Sequence, residues 1–361
     1  MKKICFLLAL ICGFSASAQK QTIFAFSDIN RYFHAFKDGY FSQIDNLDVS
    51  SVVMGDEVIA YYNVQADFKI FDGTFARLIT NQSVNFKSSD HLAAWNLGPL
   101  LYYYENGKPK NLTSFGGNYW VTDSLITFQD TRFNSLSVVY RGNIIPLMQS
   151  TTEIPSPVVQ GENLVVFKDN GDVFKVFYQG NVFEIGAYNG TDYKFFAGTD
   201  ILAFNDPQTR TFAVFQKGEF VDVEEFHSPK VKAGRGFVVY EDLQGNLKYY
   251  GNGEIQTLSS YPQFWDAKDD IALWGDATNT YQLIKGVKKT VAGFLIKEWQ
   301  LKNDVVAYRT QVGGVAASVN GENKEITTIY NPEFVINGHG VMVTLQNKSV
   351  IILYNGQLYR Y

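Results

Sequence analysis

Cysteine is nearly absent from this chain, and both examples, Cys5 and Cys12, lie in the opening stretch MKKICFLLALICGFSASAQK. That stretch joins Lys2 and Lys3 to an apolar run from Ile4 to Phe14 and the small residues Ala16-Ser17-Ala18, the pattern of an export signal. Residues 1–18 are therefore expected to be a leader cut after Ala18, leaving residues 19–361 as one exported repeat domain, periplasmic or secreted. A lipid-anchored start at Cys12 is the competing reading, but Leu10-Ile11 lacks the small residue expected before a lipidated cysteine. A mature chain without cysteine excludes disulfides, thiolate nucleophiles, Cys-ligated zinc and iron–sulfur clusters. Long apolar runs are missing too. None after the leader approaches the ~20 residues that a spanning helix needs, so no transmembrane segment is expected.

Basic residues are in the minority, 31 against 36 acidic, and losing Lys2 and Lys3 moves the net charge further below the −5 of the whole chain. No block of five like charges interrupts this balance. Such a surface repels phosphate backbones, which argues against a nucleic-acid partner. Also lacking in the mature chain are a Gly-x-Ser-x-Gly elbow, a His-Glu-x-x-His pair, a Walker loop and an EF-hand loop. The four histidines, His34, His91, His227 and His339, fall far apart. Neither a metal nor another cofactor is expected, and no catalytic residue is assigned.

What the chain has in abundance is aromatic and aliphatic residues, 29 Phe and 22 Tyr within a 46% hydrophobic composition, which excludes disorder. They recur about every 35 residues. One column, set on the aromatic of the triplet Leu202-Ala203-Phe204, runs through Phe26, Tyr61, Trp95, Phe128, Phe167, Tyr240, Trp274 and Tyr308, and closes at Thr344. Three residues earlier every position is apolar, from Ile23 to Val341. A glycine follows each time, often as Asp-Gly or Asn-Gly, dipeptides that accept the positive φ of a tight hairpin. Five residues past each glycine stands another apolar side chain, among them Ile44, Leu78, Leu112, Val223 and Tyr361. A fourth column, nine residues before the aromatic, reads Val52, Phe86, Tyr119, Val158, Phe195, Val231, Trp265, Trp299 and Val335.

Each unit thus holds four short runs of period-two alternation, and no helical period competes with them. The chain is all-β. A single unit cannot stand alone, because ordering its backbone costs about 1–2 kcal/mol per residue while each buried marker side chain returns only about 1.5–3 kcal/mol. The units must stack, and four-stranded antiparallel units stack face to face as a β-propeller. About ten short blades are expected. The inner strand of the first would fall inside the leader, which leaves that blade three-stranded. Two smaller propellers are the alternative, divided near residues 151–157.

The order of strand, Gly-x-Asp turn as in Gly198-Thr199-Asp200, "hydrophobic-hydrophobic-Ala-Phe", "aromatic-x-x-Gly" and closing leucine resembles the WD40-like blades of TolB and related periplasmic propellers. The resemblance implies a propeller fold over the whole mature chain. The Ser-Pro-Asp-Gly turn typical of that family is absent, and Asp269-Asp270 stands in its place.

Beside the apolar inner-strand column stand positions that change character from unit to unit. Trp120, Phe196, Trp265, Asp266, Glu298, Trp299 and Gln300 form aromatic-plus-carboxylate sets of the kind that hold sugars or peptides. These seven are the candidate ligand-binding residues, with packing between blades as the competing role. The acidic run Glu219, Asp222, Glu224 and Glu225 beside His227 reads as a charged outer edge. The function expected is that of an exported, non-catalytic propeller binding a protein or a glycan. The alternative is a carbohydrate-active or peptide-cleaving enzyme whose carboxylates Asp266, Glu298 and Glu224 converge from different blades.

Overall fold

The computed structural model describes residues 22–191 and 193–361; the expected leader and its cleavage point lie outside the described residues. From Ile23 onward every regular element is a strand, and each pairs with its sequence neighbour in an antiparallel meander. Ten sheets result. Blade 1 (residues 23–45) has three strands, and blades 2 to 10 have four each: residues 49–80, 85–113, 116–149, 159–187, 194–224, 231–259, 264–292, 299–327 and 333–360.

One set of contacts decides between one ring and two. Each pair of successive blades encloses its own apolar cluster, as where Ile201, Ala203, Phe212 and Val214 of blade 6 meet Val231, Val238 and Tyr240 of blade 7. The series continues unbroken through blades 4 and 5, where Leu125, Leu136 and Val138 meet Val165, Phe167 and Phe177. It returns on itself where Phe24, Phe26 and Phe36 of blade 1 pack on Met342, Val350, Ile352 and Tyr354 of blade 10. The result is a single closed ten-bladed propeller. The three-stranded first blade is present as expected.

The turns follow from their residues. In nine blades the hairpin between the third and outer strands has two central residues at positive φ, for example Asn106 (51°) with Gly107 (76°) and Asn355 (48°) with Gly356 (70°). These are the values of a type I′ turn, whose twist matches the flanking strands. Blade 2 carries Asp72-Gly73-Thr74 instead, with positive φ at Gly73 alone. The sheet register then corrects two column assignments. In blade 2 Ile79, not Leu78, packs inward, and Leu78 is exposed. In blade 10 Phe334 pairs with Val343 and both join the cluster with blade 9, so these residues, rather than Val335 and Thr344, hold the inner-strand and aromatic positions.

The closing apolar column has a cause that alternation alone does not supply. In blades 1 to 9 the outer strand slips register by one residue against the third. The extra residue is the column member itself, such as Ile44 between Gln43 and Asp45 or Val291 between Thr290 and Ala292. A β-bulge at that point turns one side chain back toward the core and twists the rim strand. It also revises the reading of Glu224. The bulge at Val223 places Glu224 opposite Phe212, where its Oε1 accepts hydrogen bonds from Tyr240 (2.7 Å) and Lys248 (2.7 Å) of blade 7.

Blades approach closest at the turn between inner and second strands. A Cβ built on Gly161 would lie 1.9 Å from the Gly198 carbonyl oxygen of the next blade, and one on Gly198 would lie 2.3 Å from the Gly234 oxygen. Backbone cannot yield as a side-chain tip would. Gly161→Ala should therefore destabilise the protein by roughly 3 kcal/mol through overpacking. Gly171→Ala, whose nearest neighbour would be the Asp169 carboxylate at 3.3 Å, should cost far less. Urea midpoints of the two variants measure the difference, and equal midpoints would refute the close approach.

Candidate functional site

Two concave regions lie near the axis, one at each end of the ring. The first is built by the inner turns. Glu57 N donates to Asp90 O (2.9 Å), Asp90 N to Asp123 Oδ1 (3.0 Å), and Asp123 N to Glu162 Oε2 (2.7 Å). Asn163 N donates to Thr199 O (2.8 Å), Thr199 N to Gly234 O (3.1 Å), Arg235 N to Asp269 O (2.5 Å) and Asp270 N to Asn303 O (3.2 Å). Asn303 Nδ2 then reaches Gly338 O (3.0 Å), and Gly338 N donates to Asp56 Oδ1 (2.6 Å). The circuit links blades 2 to 10 in order and returns to blade 2. Blade 1, which has no inner strand among the described residues, is bypassed.

This annulus surrounds a cavity of about 370 Å³ lined by Asp56, Glu57, Asp90, His91, Asp123, Glu162, Arg235 and Asn303, among others. Lys302 enters from blade 9 and contacts both Asp56 (2.8 Å) and Asp90. Burial pushes the Glu162 carboxyl up to about 7, helped by the carboxylate of Asp123. Burial likewise raises Asp90 to about 6, against the opposing pull of Lys302. Burial would raise Asp56 too, but the Lys302 ammonium with its hydrogen bonds outweighs it and holds Asp56 below its ordinary value. His91 is raised by its hydrogen bond to Glu57. Sequence reasoning took these residues as turn formers. An acidic or amide residue recurs in these turns, as in Gly55-Asp56, Ser89-Asp90, Thr122-Asp123 and Gly161-Glu162-Asn163, and that recurrence was the one signal that they meet at one end of the ring.

At the opposite end a groove of about 480 Å³ opens between blades 6, 7 and 8, with Phe196, Phe264 and Trp265 as aromatic lining and Lys230, Lys232 and Glu241 as charged lining. Two of the seven residues singled out from sequence, Phe196 and Trp265, line it directly. Trp265 Nε1 donates to Glu241 Oε1 (2.7 Å), which also accepts from Lys230 (3.1 Å). Asp266 accepts from Lys232 (2.6 Å) and from Trp299 Nε1 (3.2 Å), and Trp299 stacks on Phe264 at 4.7 Å. Gln300 binds the backbone of blade 10 at both ends of its amide, giving to Phe334 O (2.9 Å) and accepting from Ile336 N (3.2 Å). Glu298 forms a two-point ion pair with Arg309. Trp120 lies apart, in blade 4, with Lys87 of blade 3 over its ring at 5.9 Å.

The three carboxylates named for an enzyme are each held by a different cation, Asp266 by Lys232, Glu298 by Arg309 and Glu224 by Lys248. Histidines are also dispersed, with His34 on Asp28, His91 on Glu57, His227 on the Asp206 carbonyl and His339 on Asp304. Among the described residues no group of three or more His, Cys, Asp or Glu side chains has an arrangement that could hold a metal ion. No described helix is long and apolar enough to cross a membrane.

The architecture defines a β-propeller built from sequence repeats. A family model described as a 10-bladed beta propeller domain matches residues 17–359, and the chain belongs to that family. No curated protein matches it. Among solved structures it is similar to AztD from Citrobacter koseri at 10% identity and a TM-score of 0.36, over 92% of this chain and 91% of that one. It is similar to virginiamycin B lyase from Staphylococcus aureus at 12% identity and 0.30, over 74% and 97%. A third is the computationally designed Ika8 protein, at 13% identity and 0.32, over 87% and 97%. These likenesses carry no functional argument.

The annulus has a pH signature. A carboxyl whose folded value lies above its unfolded value binds more protons in the folded chain between the two, so stability falls as pH rises through that window. For Glu162 the window runs from 4.5 to about 7, and for Asp90 from 3.8 to about 6. His91, raised from 6.5, adds stability that is lost as pH climbs through its folded value. Lowered groups such as Asp56 lose their contribution only when pH drops below 3.8. The melting temperature should therefore decline from pH 5.5 to pH 8. Glu162→Gln keeps an acceptor for Asp123 N, and should raise the melting temperature at pH 8 by about 2–4 °C and flatten the decline. An unchanged slope would contradict the assignment.

Proposed function

We propose that this protein is an exported, non-catalytic binding propeller of the cell envelope, and that its ligand seats in the groove between blades 6, 7 and 8. The groove itself is the observation that carries this reading. Its charged groups are already committed to holding the wall, Lys230 with Glu241 and Lys232 with Asp266, while Phe196, Phe264 and Trp265 are only partly covered. Concave, largely apolar surfaces with a few fixed polar groups are the usual form of a ligand site. The carboxylates at the groove, Glu241 and Asp266, are each paired with a lysine, Lys230 and Lys232, while Glu298 and Glu224 are held by Arg309 and Lys248. Export is supported by the leader sequence and by the likeness of the repeat to periplasmic TolB-type blades.

Two measurements test this reading. A tagged chain expressed in its host should appear in the periplasmic or extracellular fraction with Gln19 at its N-terminus; retention in the cytoplasm or an intact leader would overturn the export claim. Phe196→Ala should weaken capture of the ligand from envelope extracts and glycan arrays about tenfold, with the melting temperature tracked to exclude unfolding. Undiminished capture by this variant would remove the groove as the site.

A further inference from the structure

The inner turns do not balance their own charge. Lys302 serves Asp56 (2.8 Å) and Asp90, Arg235 serves Asp270 (2.9 Å), His91 serves Glu57 (3.3 Å) and His339 serves Asp304. Lys268, the remaining cation of these turns, is exposed and does not line the axial cavity. Asp123 and Glu162, on the successive turns of blades 4 and 5, do line it and have no cationic partner among the described residues. One oxygen of each is used in the circuit, Asp123 Oδ1 by Asp90 N and Glu162 Oε2 by Asp123 N. Their other oxygens, Asp123 Oδ2 and Glu162 Oε1, accept nothing from the described residues. The proton that Glu162 retains up to about pH 7 reports this uncompensated charge.

A second, independent feature lies on the next turn. Thr199 of blade 6 lines the same cavity and is only 4% exposed, yet its hydroxyl makes no hydrogen bond to any described residue. Ser124, on a neighbouring turn, has its hydroxyl taken up by Glu162 O (2.9 Å). Enclosed hydroxyls are ordinarily paired, so an unpaired one beside two uncompensated carboxylates suits a positively charged donor. We infer that this part of the axial cavity binds a small primary amine with an apolar body, its ammonium held by Asp123, Glu162 and Thr199. The site stands apart from the groove between blades 6, 7 and 8 and goes beyond the role proposed for it. An ammonium carries three donors, and three successive turns present three acceptors. Arg235, the next cation in the circuit, is turned toward blade 8 by Asp270.

The apolar body follows from what adjoins the ammonium. A second cavity of about 380 Å³ shares Asp123, Ser124 and Asn163 as lining with the axial one. Its walls add Leu92, Ile126 and Val139 with the rings of Tyr103 and Tyr140, a surface that takes hydrocarbon from water. Glu105 there is already held by Lys110, and Arg141 lies over the Tyr140 ring at 5.0 Å, so this alcove offers a second ammonium no free carboxylate. One charge and one apolar chain fit the pair of cavities better than a polyamine. Both volumes fall in the range of about 300–1,000 Å³ usual for small-molecule sites. A bare metal ion is disfavoured, because no group of three or more His, Cys, Asp or Glu side chains among the described residues is arranged to hold one.

The test is isothermal titration calorimetry of the purified protein with hexylamine and phenethylamine, against hexanol, 1,6-diaminohexane and calcium. At least one of the two monoamines should bind at pH 8, and hexanol should not. Glu162→Gln and Asp123→Asn should each weaken that binding about tenfold, and Thr199→Val about two- to fivefold. Glu162→Gln is expected to raise the melting temperature at pH 8, so its loss of binding is not loss of fold. Phe196→Ala, at the opposite end of the ring, should leave amine binding unchanged. Affinity should also rise from pH 5.5 to pH 8, because the amine stays protonated while Glu162 and Asp90, raised to about 7 and about 6, become charged. His91, paired with Glu57, changes in the same sense. Asp90, Asp123 and Asp269 are the carboxylates that act on Glu162, and Lys302 and Arg235 are the cations of the same circuit. Binding of neither monoamine, equal binding of hexanol, or affinity unchanged in both carboxylate variants overturns the inference. Calcium that competes with the amine, or a diamine that binds about tenfold tighter, overturns the assignment to a monoamine.

Discussion

Closure of the ring at its axis is the constraint on which the other features depend. Ten wedges exceed the four to eight of ordinary propellers, and a wider ring draws its inner strands apart. Apolar packing between blades acts farther out and is tolerant of small rotations. The inner turns fix the geometry, because a hydrogen-bond circuit that runs through nine blades closes at only one diameter. Glycine stands wherever the next carbonyl occupies the space of a Cβ, as at Gly161 and Gly198. Where the residue is Ser89 or Thr122, the hydroxyl donates instead to the carbonyl of the following turn, at 2.9 Å in both cases.

Blade 1 would break this circuit, since among the described residues its innermost strand, Ile23–Ser27, pairs with no further strand on the axial side. The break is stitched by side chains. Asn337 Nδ2 donates both to Ile23 O (2.6 Å) and to Gly55 O (2.7 Å), bridging blades 10, 1 and 2. Met54 presents its sulfur to Ala25 N at 3.4 Å. Lys302 spans still farther, from blade 9 to the carboxylates of blades 2 and 3. An edge that would otherwise template pairing with another chain is thereby buried, with Ile23 and Phe24 at 0% exposure.

Much of this was legible in the sequence. The aromatic column beginning at Phe26 and Tyr61, the Asn-Gly turns and the early start of the first unit sufficed for ten blades with one strand missing, because blade spacing and hairpin geometry are local properties. What was not legible depends on register. Simple alternation would put Asp222 and Glu224 on one face, but the bulge at Val223 intervenes, so the acidic run that reads as a charged outer edge is split. The one-residue slip in blade 10 is hidden for the same reason, since Val341, Met342 and Val343 are interchangeable as apolar markers. The carboxylates of the annulus were visible only as turn residues, because their meeting is a property of the closed ring.

The same widening of the ring accounts for the variable inner-strand positions. Beside the apolar column, Lys87, Lys232 and Gln300 each extend to the next blade, to Tyr119 O (2.6 Å), Asp266 (2.6 Å) and Phe334 O (2.9 Å). Each bridge must match its own neighbour, so these residues differ from blade to blade without all of them facing a ligand. Phe196 and Trp265 are distinguished from that set by position: they flank the place where the bridging leaves a groove. At the end of the ring where the turns meet, carboxylates and cations are engaged in closure. At the other end the strand connections close nothing, and their residues are free to be chosen for what they touch.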